Sequence, residues 1–318
     1  MKFCFSTKEF IETEISNDKL AVIGDDENLT WPQFKDRVDA LCKELIANSF
    51  VDLKYPLVVY GHKSANMIVC MYAAMKLEIA YIPIDLIYPS ERIEKVLEIS
   101  KSELVLNTTS EQLNFTGINE IQFSGASVNI NKRGSITLAS EKLQDPIVYI
   151  IFTSGSTGEP KGVQITTTAV QSFTRWMTAD FGFDANEVFV NTAILSFDLS
   201  VFEVMTFSAL GGTILLNSKN ITSNPDSLIK RTSEYNGTVW VSTPSFSLKY
   251  ARIDDENALS SINTFLFCGE ILPHNLACKL VDNFTNARVI NTYGPTEATV
   301  ATTFIEITQE VLNNHPVL

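Results

Sequence analysis

Between residues 57 and 291, short apolar strand-like runs alternate with helix-like segments, and this alternation limits the fold more than anything else in the chain. The strand-like runs cover 57–60, 80–84, 103–106, 147–152, 188–194, 213–216, 238–241, 263–268 and 288–291. The helical segments cover 66–76, 91–100, 169–180, 200–210, 226–236 and 275–284. Strands separated by crossover helices build parallel sheets covered on both faces, so an α/β fold of two parallel-type sheets wound with helices is expected. The segment 66–76 is apolar all round and reads as a buried helix, while Gly211-Gly212 stops the helix at 200–210. Residues 108–143 are richer in Asn, Ser, Thr and Gly and read as a connection between subdomains at 1–143 and 144–318. Beyond Val300, 302–308 is strand-like and is expected to form a partial β-barrel element. The chain then reaches Leu318 without a closing element, which reads as a cut end.

Bulk properties remove several function classes. With 45% hydrophobic residues in 318, the chain supports a large core. A formal net charge of −13 argues against nucleic acid or an anionic membrane as a broad-surface partner, but leaves room for a local basic pocket. No apolar run approaches the roughly 20 residues of a membrane span, and no N-terminal signal peptide is visible. Five cysteines without a C-x-x-C pair suit unpaired thiols in a reducing, cytoplasmic compartment. The three histidines are scattered, so neither a metal cluster nor a Ser/His/Asp arrangement can be read.

Four segments carry chemistry. After the apolar run 147–152 comes Thr153-Ser154-Gly155-Ser156-Thr157-Gly158-Glu159-Pro160-Lys161-Gly162. Glycines let backbone approach a ligand, turn N–H groups and hydroxyls point at phosphate oxygens, and Lys161 adds charge. Pro160 before the lysine separates this loop from the Walker A pattern, and its composition also suits a polar surface turn. Asn291-Thr292-Tyr293-Gly294-Pro295-Thr296-Glu297 offers an aromatic face, a hydroxyl and a carboxylate. It reads either as a Gly-Pro turn with a solvated Glu297 or as a Mg²⁺ ligand beside phosphates. In Phe197-Asp198-Leu199-Ser200-Val201-Phe202-Glu203, Ser200 and Glu203 match a capping box. Asp198 then lies among apolar neighbours, either helping the cap or pairing with a ligand ammonium. Phe265-Leu266-Phe267-Cys268-Gly269-Glu270 ends a strand; Cys268 reads as packing, or as lining a crevice at strand carboxyl ends.

Together these segments resemble the adenylate-forming (AMP-binding) enzymes, with weaker echoes at Leu29-Thr30-Trp31 and Ala80-Tyr81-Ile82-Pro83-Ile84-Asp85. The resemblance covers essentially the whole chain. Within the superfamily it is most similar to the D-alanine:D-alanyl carrier protein ligases. The resemblance implies that Thr153, Ser154, Gly155, Ser156, Thr157, Gly158 and Lys161 hold the ATP β- and γ-phosphates. It also implies ATP contacts from Gly269, Glu270, Asn291, Thr292, Tyr293, Gly294 and Thr296. Asn291 and Tyr293 would meet adenine, Thr296 the α-phosphate, and Glu297 would hold Mg²⁺; Thr296 and Glu297 form the catalytic pair. Asp198 would anchor the substrate ammonium. Leu199, Phe202, Cys268, Val300 and Ala301 would wall a pocket for a small side chain, with the Cys268 position bearing on choice of the D enantiomer.

The implied reaction is attack of an amino-acid carboxylate on the α-phosphorus of ATP, then transfer to the phosphopantetheine thiol of a carrier protein. The carboxylate is already ionised at neutral pH, so alignment and charge neutralisation suffice without a general base. D-Alanine is the implied substrate and teichoic acid the family's usual destination. Another small amino acid, or nucleotide binding without turnover, is the alternative. Asp198 argues against acyl-CoA chemistry, because a fatty acid brings no ammonium. The family's ribose-binding aspartate, hinge and small lid domain with a catalytic lysine would lie beyond Leu318, so impaired turnover is expected of this stretch. One departure is local: the family's usual glycine before Ala80-Tyr81 is replaced by Glu78.

Overall fold

A computed structural model describes residues 16–125, 127–154, 159–255 and 257–315. Packing divides the described residues into two compact units, one within 16–22, 26–175 and 194–196, the other within 23–25, 176–193 and 197–315.

Two short strands, Leu20–Ile23 (β1) and Asn28–Thr30 (β2), precede helix Trp31–Ala47 (α1). Helix α1 is not among the elements expected from the sequence, although its signals are present. Thr30 and Gln33 cap each other's backbone N–H, Pro32 sits in the first turn, and Trp31, Phe34, Val38, Leu41 and Leu45 are buried along one stripe.

The first unit's sheet has the strand order β7-β6-β5-β3-β4-β8-β9. Its strands are Leu57–Gly61 (β3), Tyr81–Asp85 (β4), Leu104–Asn107 (β5), Asn119–Ser124 (β6), Ser127–Asn131 (β7), Ile147–Ser154 (β8) and Pro160–Thr166 (β9). Helices Ala65–Lys76 (α2) and Ser90–Ser100 (α3) make the crossovers, and all of α2 except Lys76 is buried, as its apolar sequence requires. The central pairings are parallel, but β6–β7 and β8–β9 are antiparallel hairpins, so the sheet is mixed. The β6–β7 hairpin lies inside the polar stretch 108–143. Its inward-facing Glu120 is fully buried and bonded by Asn107 at 2.7 Å, Arg133 at 3.1 Å and the Leu113 N–H at 3.1 Å. A satisfied buried carboxylate gave that strand a composition that reads as loop.

Helix Thr167–Asp180 (α4) is followed by the second unit's strands Val188–Asn191 (β10), Thr213–Leu216 (β11), Val239–Ser242 (β12), Thr264–Phe267 (β13), Arg288–Tyr293 (β14) and Thr303–Glu306 (β15). They run in the order β15-β14-β13-β12-β10-β11, parallel except for the β14–β15 pair. Connecting helices are Val201–Leu210 (α5), Lys219–Thr222 (α6), Pro225–Glu234 (α7), Pro244–Tyr250 (α8) and His274–Asn283 (α9); Gln309–Asn314 (α10) follows β15. Gly211 closes α5 at φ +72°, the left-handed cap expected of it. Two expectations are corrected. The strand-like end near Val300 adds β15 antiparallel at the sheet edge, and the described strands close no barrel. The Ser200–Glu203 capping box does not form: Ser200 Oγ donates to Phe197 O at 2.8 Å, and Glu203 Oε1 accepts from Asn191 Nδ2 at 3.1 Å. A buried partner on β10 outcompetes the local cap.

Candidate active site

In the second unit, the carboxyl ends of parallel strands place the motif residues side by side. Ser242 pairs in register with Phe267, and Phe267 with Asn291. Chain leaving those strands therefore starts from one edge, where α/β sheets form ligand crevices. Thr292 is buried and donates to Phe267 O at 2.7 Å, tying β14 to β13 just before Cys268.

Asp198 opens a three-residue turn, Asp198–Ser200, that leads into α5. Its side chain is 8% exposed and accepts a 2.5 Å hydrogen bond from Thr296 Oγ1. Two motifs separated by 98 positions are thereby joined through their functional atoms. Burial is the largest influence on the Asp198 carboxyl and raises it above the usual carboxylate range. The Thr296 hydrogen bond and backbone N–H groups pull it back, and the neighbouring Glu297 charge adds to the rise. No lysine, arginine or histidine among the described residues forms an ion pair with Asp198, so the buried carboxylate has hydrogen bonds but no counter-charge.

Cys268 is buried, and burial raises its thiol above the ordinary value. Its Sγ lies 3.8 Å from Val300 O. Val300 and Ala301 are buried behind an unusual turn in which Thr299 (φ +61°) and Val300 (φ +71°) both occupy the left-handed region. Ala301 N donates across Val300 to Thr299 O at 2.8 Å. Gly294 permits this arrangement, because a Cβ there would stand 2.5 Å from Ala301 Cα. Leu199, in the same turn as Asp198, and Phe202, in the first turn of α5, are both buried.

Asn291 has its Oδ1 buried without an acceptor's partner among the described residues, whereas the Tyr293 ring is 74% exposed. An unanswered acceptor next to an open aromatic face suits a flat heterocycle carrying an amino group. Gly269 adopts φ +89°, the left-handed backbone that favours glycine. Glu270 has both oxygens engaged within the chain: Oε2 accepts from Ser245 N at 2.9 Å and Oε1 from Ser245 Oγ at 2.8 Å. This anchors the start of α8 and was missed in the sequence. The Thr243-Pro244-Ser245 helix-start pattern was the available signal, but its acidic partner lies 25 residues away. Glu297 is exposed on a short turn, Thr296–Ala298. The described residues contain no group of three His, Cys, Asp or Glu side chains suited to a metal.

In the first unit, the Gly-rich segment joins β8 to β9. Thr153 stands opposite Lys161 in the ladder, and Thr153 Oγ1 donates to Lys161 O at 3.5 Å. The strand after the loop shows that this is a hairpin and not the strand–loop–helix of a Walker motif. Gly155, Ser156, Thr157 and Gly158, and the side chain of Ser154, lie outside the described residues. Gly162 packs against β8, since a Cβ there would meet Ile150 and Phe152 atoms at 3.0–3.1 Å.

With the geometry in place, comparison with known proteins is decisive for family. The model of the AMP-binding enzyme family matches residues 12–316. This chain is an AMP-binding family member. A D-alanine--D-alanyl carrier protein ligase of Bacillus cytotoxicus is 38% identical over 302 residues, covering 94% of this chain and 60% of the relative. One of Bacillus licheniformis is 37% identical over 326 residues, covering 99% of this chain and 62% of the relative. The AMP-binding chain described here thus spans about three fifths of the length of those curated relatives. Among solved structures, CmiS6 superposes with a TM-score of 0.83 at 21% identity, covering 93% of this chain and 72% of that one. The α-methyl-L-serine-AMP-bound form of the nonribosomal peptide synthetase FmoA3 gives 0.79 at 22% identity, covering 91% and 33%. These likenesses establish the fold: the large α/β domain of adenylate-forming enzymes, with two mixed sheets.

Proposed function

We propose that this AMP-binding chain is part of an ATP-dependent ligase that activates D-alanine as an adenylate and passes it to the phosphopantetheine thiol of a carrier protein. The observation that carries the reading is Asp198, a buried carboxylate hydrogen-bonded by Thr296 and without a cation among the described residues. Such a group is costly until a positive charge arrives, and an α-ammonium is a charge of the right size and sign. Cys268, Val300 and Ala301, all buried and with Cys268 Sγ 3.8 Å from Val300 O, would wall the pocket for a small side chain. The named relatives, D-alanine--D-alanyl carrier protein ligases, support the same substrate.

The residues present fit ATP. The orphan Asn291 Oδ1 would accept from the adenine amino group, and the open Tyr293 ring would stack on the base. Thr153 and Lys161, at the base of the Gly-rich hairpin, would serve the phosphates. Glu297 would supply a single carboxylate to Mg²⁺, a fit for an ion that takes one or two carboxylates and completes its shell with phosphate oxygens and water. Held there, such an ion would neutralise phosphate charge. The chain's own task is then orientation: Asp198 fixes the amine, Thr296 holds Asp198, and the strand ends aim the substrate carboxylate.

The test is calorimetric binding of non-hydrolysable D-alanyl- and L-alanyl-adenylate mimics. The D form is expected to bind more tightly. Asp198→Ala is expected to weaken it by a factor on the order of 10² or more, from a buried-pair loss of about 3–5 kcal/mol, while AMP binding stays near wild type. Equal affinity for both enantiomers would remove D-alanine from the reading, and an unaffected Asp198→Ala would remove the amine anchor.

A further inference from the structure

We propose that Arg92, with the hydroxyls of Tyr88 and Ser196, forms a subsite for a phosphate-type oxyanion in the first unit, making Arg92 a positioning residue for phosphate. The subsite rests on the ATP-dependent reading above but on residues that reading does not use. Arg92, Tyr88 and Ser196 line a small depression with Ile82, Ile84 and Phe152, at the carboxyl end of β4 and beside the last apolar residue of β8 before Thr153. In this mixed sheet β4 and its neighbours β3 and β8 run parallel, and the carboxyl ends of parallel strands are where ligands bind.

The state of Arg92 is the central observation. The chain carries 37 acidic and 24 basic residues, so carboxylates are plentiful. Arg37, Arg133, Arg231, Arg252 and Arg288 each hold one, from Glu27, Glu120, Asp25, Asp226 and Glu306 respectively. Among the described residues Arg92 holds none. Its Nε is buried without an acceptor, and its guanidinium rests over the Tyr88 ring at 4.4 Å. Stacking fixes the plane of the guanidinium but leaves its N–H fork unanswered, and a buried N–H without an acceptor is costly. The fork matches an oxyanion with two oxygens in one plane, which phosphate presents. Ser196 Oγ donates to the Tyr88 hydroxyl at 3.2 Å, which leaves the Tyr88 O–H as a further donor toward the same space. One turn along α3, Lys95 pairs with Glu159 at 3.4 Å, at the far side of the Gly-rich hairpin. Helix α3 therefore lays two cations along the base of that hairpin.

The experiment is calorimetry of the wild-type chain, Arg92→Gln, Arg92→Lys and Tyr88→Phe with inorganic phosphate, pyrophosphate, ATP and adenosine. Arg92→Gln is expected to weaken pyrophosphate by about 10–100-fold, the effect of losing a charge-assisted hydrogen bond, and to leave adenosine unchanged. Arg92→Lys, which keeps charge without the fork, should fall between. A loss confined to pyrophosphate and ATP assigns the subsite to a nucleotide's phosphates; a loss that includes inorganic phosphate assigns it to a free anion. If Arg92→Gln fails to fold, Arg92→Lys and Tyr88→Phe carry the comparison. Pyrophosphate affinity unchanged in Arg92→Lys and Tyr88→Phe, or in a folded Arg92→Gln, overturns the inference. Failure of the wild type to bind ATP and adenosine would instead count against the ATP-dependent reading, and the pyrophosphate arm would still decide the subsite.

Discussion

Replacing Glu78 by glycine should make this protein more stable, although it deletes a charged side chain with an ion-pair partner. Helix α2 ends in a double-bonded cap, with Glu78 N donating to Met75 O at 3.1 Å and Ile79 N to Ala74 O at 2.9 Å. That cap requires a left-handed residue after the helix, and Glu78 supplies it at φ +56°. A side chain in this conformation costs about 1–2 kcal/mol, which glycine avoids. Against this, glycine loosens the unfolded chain by about 0.4–1 kcal/mol. The Lys142–Glu78 pair, 3.8 Å long with Lys142 75% exposed, contributes a few tenths of a kcal/mol at most, on the order expected of surface pairs. At the middle of these ranges the balance favours Glu78→Gly by about 0.5 kcal/mol. Urea denaturation followed by circular dichroism reads this as a higher midpoint at unchanged slope. Glu78→Ala is the control, because it loses the ion pair and keeps the strained backbone; it should lie at or below wild type. A glycine variant no more stable than the alanine variant would refute the strain argument.

Two further outcomes follow from the site. Burial raises the Asp198 carboxyl, so its contribution to stability is fully present below its unfolded value of about 3.9 and is lost as pH rises through the higher folded value. Asp198→Asn cannot ionise, so it should melt above wild type at neutral pH, lose that advantage below about pH 4, and bind the D-alanyl-adenylate mimic poorly. A melting advantage that does not change with pH would contradict the burial argument. Gly294→Ala should lower the melting temperature through an overpacking cost of about 1–3 kcal/mol, because the new Cβ meets Ala301 Cα at 2.5 Å and Thr302 N at 2.8 Å. A wild-type melting curve for this variant would show that the 294–301 turn is free to relax.

What could be read from the sequence, and what could not, divides along the range of the interactions involved. Strands such as β11 and β13 and helices such as α2 and α5 announce themselves because each is a continuous apolar segment with a local stop, Gly211 being the clearest. The β6–β7 hairpin and β9 stayed hidden because their identity depends on a neighbouring strand. Glu120 is buried within partners from β5 and the chain beyond β7, and in β9 Val163 and Ile165 alternate against β8 within a Gly- and Thr-rich background. At the site, the motifs marked the right loops, but not the bonds between them. Asp198 to Thr296 spans 98 positions and Glu270 to Ser245 spans 25, and neither pairing has a local signature.

The least legible feature is the pair Thr299–Val300. Two β-branched residues with positive φ contradict every local preference, and the local hydrogen bond from Ala301 N to Thr299 O, 2.8 Å long, does not remove that steric cost. The compensation is tertiary. Thr302 N is held by Tyr293 O at 2.9 Å, Gly294 admits the Ala301 backbone at a distance no side chain would tolerate, and Val300 O is met by Cys268 Sγ at 3.8 Å. Strain of this kind persists where the surroundings over-determine it, and here those surroundings are the strand ends that carry Cys268, Asn291 and Tyr293. The turn is therefore held in place by the same residues that the adenylation reading assigns to substrate and nucleotide, so its distortion is a property of the site and not of the local sequence.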